Sequence, residues 1–199
     1  MPWSDYLALL ALLTAMSFTP GPNTMLSTAL AANRGLKVAL GFALAVPVGW
    51  CALMLACALG VGTLVQAVPA LRLAVKWGGL AYLLWLAWQL AQAQSLKDAD
   101  PTRLRIGFWQ GAALQWVNIK AWMAALLVAA GWVAPGPLGE RLLVVLPTMT
   151  VFAFCSNATY AVVGATLRPW LAQGGRLLAF NRGMAGVLLA TTVWMGWST

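Results

Sequence analysis

The sequence predicts an all-α integral membrane protein. Its six transmembrane helices form two inverted three-helix repeats, and the first helix of each half is disrupted. Three observations predict this. The 199 residues are 62% hydrophobic and only 8% charged, with mean hydropathy +0.81, whereas a soluble domain carries about 25% charged residues. The apolar runs are long enough for spans of about 20 residues. They also divide three and three around one longer polar connection, and three crossings per half reverse the direction of the second half.

The elements follow in order. Span one runs from Asp5 to Ala32, broken at Pro20-Gly21-Pro22, where two residues lack an N–H and one relaxes the backbone. Span two is Val38 to Leu64 and span three Leu71 to Leu90. Residues 1–92 make the first repeat, 93–107 a cytoplasmic linker loop, and 108–199 the second repeat, all in a single membrane domain. The wider connection Ala91 to Gly107 carries Lys97, Asp98, Asp100, Pro101, Arg103 and Arg105. Spans four, five and six are Phe108 to Val133, Leu142 to Leu167 and Leu177 to Trp197. Trp85, Trp88, Trp109, Trp170, Trp194 and Trp197 lie near span ends, as in an interfacial aromatic belt, while Trp50 and Trp116 sit deeper and are read as packing residues. Gly41, Ala45 and Gly49, and likewise Gly107 and Gly111, are read as close-packing rows.

Charge sets the orientation. The net charge of +8 comes from 12 basic against 4 acidic residues. Arg34, Lys37, Lys97, Arg103, Arg105, Arg168, Arg176 and Arg182 follow spans one, three and five; only Arg72, Lys76 and Arg141 fall on the other side. The positive-inside rule then puts both termini in the periplasm. This loop clustering argues against a nucleic-acid partner and leaves lipid as the surroundings. No Lys or Arg precedes the first apolar run, which leads into Pro-Gly-Pro rather than a cleavage site, so that run is expected to stay in the mature chain.

Several chemistries are disfavoured. With no histidine and no Cys-x-x-Cys pair, a metal site has little support, and Cys51, Cys57 and Cys155 read as small buried core residues. Asp5, Asp98, Asp100 and Glu140 all lie in terminal or loop regions, so a membrane-embedded enzyme lacks its paired carboxylates or nucleophile and base. No cofactor is implied. A carboxylate or histidine proton relay is also missing, which leaves Lys120 as the ordinary proton carrier if transport is coupled, with uncoupled downhill efflux simpler.

The polar residues inside the spans are the candidate site. Burying a lysine charge near a bilayer centre costs at least ~3 kcal/mol on insertion scales, so an intramembrane lysine marks function by default. On a ruler of 1.5 Å per residue, Asn23, Asn118, Asn157 and Pro47 lie ~14–15 Å from the cytoplasmic ends of their spans and Lys120 ~18 Å. Groups on four spans thus share one level. Broken membrane helices are where transporters build substrate sites, and a half-helix N-terminus at Asn23 to Leu26 suits a carboxylate. The competing role for Asn23 is repair of the freed backbone. For Lys120 it is a structural ammonium tied to carbonyls at the break in span one, since its stem is too short to snorkel from this depth.

These residues resemble the LysE/RhtB family of bacterial amino-acid exporters over essentially the whole length. The matching elements are Thr19-Pro20-Gly21-Pro22-Asn23 in span one and Gly79-Leu80-Ala81-Tyr82-Leu83-Leu84-Trp85-Leu86-Ala87-Trp88 in span three. The family's fourth span usually carries Asn-Pro-Lys; here it reads Asn118-Ile119-Lys120, which predicts a less sharp break. The stretch Phe108-Trp109 through Lys120, and Ser156-Asn157-Ala158-Thr159-Tyr160 in span five, are similar to the cysteine/O-acetylserine exporter branch. The resemblance implies export of amino acids or close derivatives across the bacterial inner membrane. The substrate-binding residues expected are Pro20, Gly21, Pro22, Asn23, Asn118, Lys120, Asn157 and Tyr160. Export of another small solute or a metal ion, or a membrane scaffold, are the alternatives, and a homo-oligomeric partner stays open.

Overall fold

The computed structural model describes residues 1–93 and 106–198, and among these every regular element is helical. The helices are α1 (Trp3–Phe18), α2 (Pro22–Arg34), α3 (Leu36–Ala58), α4 (Val61–Ala67), α5 (Pro69–Ala91), α6 (Phe108–Val117), α7 (Ile119–Val128), α8 (Leu138–Leu171) and α9 (Arg176–Ser198). A single π turn, Ala129–Val133, prolongs α7. The predicted charges Lys97, Asp98, Asp100, Arg103 and Arg105, with Pro101, lie outside the described residues.

Helices α3, α5, α8 and α9 are long and apolar enough to cross a membrane; α6 with α7 makes a fifth crossing if the bent pair is one span. Four or five candidate spans are therefore present among the described residues, against the six expected. The difference lies in span one. Its apolar half, α1, has 16 residues, about 24 Å of helix against a hydrocarbon core of ~30 Å. The other half, α2, is rich in Asn, Ser and Thr and is buried by protein: eleven of its thirteen residues are shielded. Span two also ends early. Gly60 takes the left-handed conformation (φ 100°, ψ −5°), one residue beyond the α3 C-cap Leu59, a position that favours glycine; the remainder of the predicted span becomes the short α4.

Helix α2 lies at the centre, packed against α8, α3 and α9. Close approaches set this packing and that of α3 on α6. A Cβ at Gly164 of α8 would come to 2.2 Å from the Thr28 carbonyl oxygen of α2. A Cβ at Gly49 of α3 would come to 2.1 Å from the Ala112 oxygen of α6, while one at Gly111 would meet Phe42 and Ala45. The α3–α6 crossing therefore uses Ala45, Gly49 and Gly111 from the two predicted rows. Gly41 and Gly107 do not take part, since a Cβ at Gly41 would meet nothing and one at Gly107 only the Gln110 side chain.

The outer surface is apolar. Trp85, Trp88, Trp109, Trp170, Trp194 and Trp197 are all exposed, as a lipid-facing belt requires. Two expectations need correction. Cys155 is exposed and Cys51 half-buried, leaving only Cys57 in the core. Trp116 is also exposed, its ring edge-on to Trp122 at 6.2 Å. Both corrections have one cause: in a bilayer an apolar residue need not be buried in protein to be out of water.

Candidate functional site

Two helix breaks face one another. The first is Thr19-Pro20-Gly21, between α1 and α2. Its freed backbone groups are repaired from three directions. The Thr24 hydroxyl accepts from the Gly21 N–H at 2.9 Å and donates to the Gly21 oxygen at 3.0 Å. The Tyr160 hydroxyl of α8 donates to the Phe18 oxygen at 2.9 Å. The Lys120 ammonium of α7 donates to the Thr19 oxygen at 2.9 Å. This places a cation at the C-terminal end of α1, where the helix dipole favours it.

The second break is Asn118, where α6 and α7 meet at a bend of 70°. The first helix of the second half is thus disrupted, as expected, and more sharply than Ile119 in the place of the family proline implies. Asn118 is extended (φ −87°, ψ 104°) and its side-chain oxygen caps α7 by accepting from the Lys120 N–H at 3.1 Å. Its backbone oxygen takes the N–H groups of Ala121 and Trp122. Upstream, the Trp122 indole donates to the Trp116 oxygen at 2.8 Å. Gly79 lets α5 approach until a Cβ there would stand 2.2 Å from the Val117 oxygen, and Ile119 packs on Leu80. Side-chain capping and packing replace proline.

Between the breaks is a cavity of about 40 Å³, room for roughly three waters by the same measure. Gly21, Pro22, Asn23, Asn118, Lys120 and Asn157 line it, so the polar groups read at one depth on spans one, four and five share a wall, whereas Pro47 lies within the continuous α3 and off that wall. Pro20 and Tyr160 do not line it; Tyr160 acts one step back, on the Phe18 carbonyl. Gly21 is buried against the lysine stem: a Cβ there would lie 3.2 Å from both Cδ and Nζ of Lys120.

The polar wall is tied to its surroundings. Asn23 and Gln115 exchange amide hydrogen bonds at 2.8 and 3.1 Å, and Gln115, wholly buried, also donates to the Gly111 oxygen. Asn157 donates to the Ala153 oxygen at 2.8 Å and accepts from Ser27 at 2.9 Å. The N–H groups of Asn23 and Thr24 in the first turn of α2 precede the first main-chain bond of that turn, Met25 to Gly21, and both residues line the cavity. The sequence reading missed Gln115, although an amide within an apolar run was signal enough. It also missed the reciprocal pair Asn33–Asn181 at the other end of α2, at 2.8 and 2.9 Å. Ser17, Thr24 and Trp50 on the cavity wall were missed as well.

The LysE type translocator family model matches residues 14–194. A cysteine/O-acetylserine efflux protein of Klebsiella pneumoniae is 35% identical over 124 residues, a match spanning 62% of this chain and 62% of that relative. Proteins of the same name from Escherichia coli O1:K1 and O157:H7 are each 30% identical over 168 residues, covering 84% of this chain and 85% of theirs. No solved structure matches. The chain belongs to the LysE type translocator family.

Proposed function

We propose that this LysE type translocator exports small neutral amino acids or close derivatives, of the cysteine and O-acetylserine kind, across the bacterial inner membrane. It is a secondary transporter and not an enzyme. One observation carries the reading: a single cavity at the two breaks offers partners for both ends of a zwitterion. The substrate carboxylate takes the free N–H groups of Asn23 and Thr24 and the unused protons of Lys120, an arrangement that suits an anion. The substrate ammonium takes carbonyl oxygens at the end of α1 and the side-chain oxygens of Asn118 and Asn157, each of which accepts one hydrogen bond in the structure. The names of the relatives support the substrate class.

In this reading α1 and α2 together form the sixth crossing, as one broken span. Residues 1–92 and 108–199 are inverted repeats joined by the cytoplasmic segment 93–107, and both termini are periplasmic. A cavity holding a few waters is too small for a whole amino acid, so loading requires the helices around it to part. That motion exchanges the Lys120–Thr19 contact for contacts to substrate. A second reading is favoured by that same contact: Lys120 as a permanent repair of the break in α1.

The test is efflux of a labelled amino-acid panel from loaded proteoliposomes. Release of small neutral amino acids is expected, and failure to release any member of the panel contradicts the proposal. Cysteine labelling checks the topology, with residues 135–140 expected to react from the periplasm and 93–107 only from the cytoplasm.

A further inference from the structure

We infer that Trp50 of α3 and Ser17 of α1 form a side-chain subsite of the cavity, selecting amino acids whose side chain carries an oxygen acceptor. The inference rests on the amino-acid export reading and adds a selectivity to it. Both residues line the cavity. Both are more than nine-tenths buried, at 7% and 8% exposure. The Trp50 indole N–H and the Ser17 hydroxyl are nonetheless buried polar groups without a hydrogen-bond partner among the described residues.

Native proteins pair the large majority of such groups. Since both residues front the cavity, the missing partner is supplied from within it. An indole N–H is a donor only, so that partner is an acceptor; the serine hydroxyl both donates and accepts. The carboxylate-binding groups stand on the α2 and α7 walls, whereas Trp50 and Ser17 come from α3 and α1. An ester carbonyl or hydroxyl satisfies the indole. An aliphatic chain strands it, and a thiol, a weak acceptor, satisfies it poorly. A site built to hydrogen-bond a substrate group discriminates strongly against the analogue lacking it. Trp50 therefore has more than the packing role its depth in the sequence suggests.

The test is a competition. Proteoliposomes holding the full chain are loaded with equal amounts of O-acetyl-L-serine and L-norleucine, which has the same chain length without the ester oxygens. Efflux of both is followed in the same vesicles, so their ratio does not depend on how much protein is active. The wild type is expected to favour O-acetylserine, and Trp50→Phe to lower the ratio about tenfold. Ser17→Ala should shift it the same way; it removes one oxygen only and carries the test if the Trp50 variant does not fold. A wild type without preference, or ratios unchanged in the variants, overturns the subsite and leaves amino-acid export standing. No efflux of either compound from wild-type vesicles overturns the export reading itself.

Discussion

The two helix breaks serve one cavity and are made by opposite means. The first is written in the backbone: Pro20 and Pro22 remove two donors on either side of Gly21, and α1 stops before them. Its side chains (Thr24, Tyr160, Lys120) come afterwards, to satisfy what the prolines set free. The second has no proline. Asn118 caps α7, the Trp122 indole takes an α6 carbonyl, and Gly79 admits α5 against the Val117 oxygen. A membrane helix can thus be broken by supplying better partners for its end groups, as well as by deleting hydrogen bonds.

The largest expected effect is on the group that joins the breaks. Lys120→Ala should abolish export from proteoliposomes while the protein remains inserted. Lys120→Arg should fail largely too, because a planar guanidinium does not replace a compact ammonium beside Gly21. Full efflux from well-inserted Lys120→Ala protein would show that the lysine only braces the first break.

The next effect is specific to the second break. Gly79→Ala places a Cβ where the Val117 oxygen already stands, and overpacking of this kind costs ~1–3 kcal/mol. A fall in melting temperature of several degrees is expected. A variant as stable as the wild type would mean that α5 does not hold the bend. The smallest effect sharpens the comparison most. Ile119→Pro converts the second break to the proline kind. Ile119 is the first residue of α7, where proline is tolerated, and Asn118 before it is already extended, as a pre-proline residue prefers. The packing lost is that of Ile119 on Leu80 and beside Gly79, so stability should change by less than ~1.5 kcal/mol. Misfolding of this variant would contradict the described backbone at Asn118.

Much of this was legible in the sequence, and the rest was hidden for identifiable reasons. The Pro-Gly-Pro break announces itself because its cause is local. Asn23, Asn118, Lys120 and Asn157 were placed at one level by a linear ruler, and they line one cavity. The sharpness of the second break was not legible, because its causes are spread over Gly79, Trp122 and the Asn118 cap. Neither Gln115 as the partner of Asn23 nor Asn181 as the partner of Asn33 follows from spacing, since each pair joins different helices. The burial of Cys155 and Trp116 was misjudged because lipid shields apolar groups as well as protein does.

Asn23 at the first break and Asn157 on the α8 wall of the cavity are expected to bind one substrate together, and a double-mutant cycle on affinity decides it. No hydrogen bond joins Asn23 to Asn157: the first pairs with Gln115, the second with Ala153 and with Ser27, one turn along α2 from Asn23. Coupling between them in substrate affinity is expected from a shared ligand, and the melting temperatures separate it from coupling through Ser27 and α2. Binding of O-acetyl-L-serine and melting temperature are measured for Asn23→Ala, Asn157→Ala and the double variant. Each single variant is expected to bind more weakly by ~1–3 kcal/mol, and the double variant less weakly than the sum of the two. Affinity losses that simply add, or lowered melting temperatures with affinity unchanged, would mean that these amides only mend the helices and that the substrate binds elsewhere.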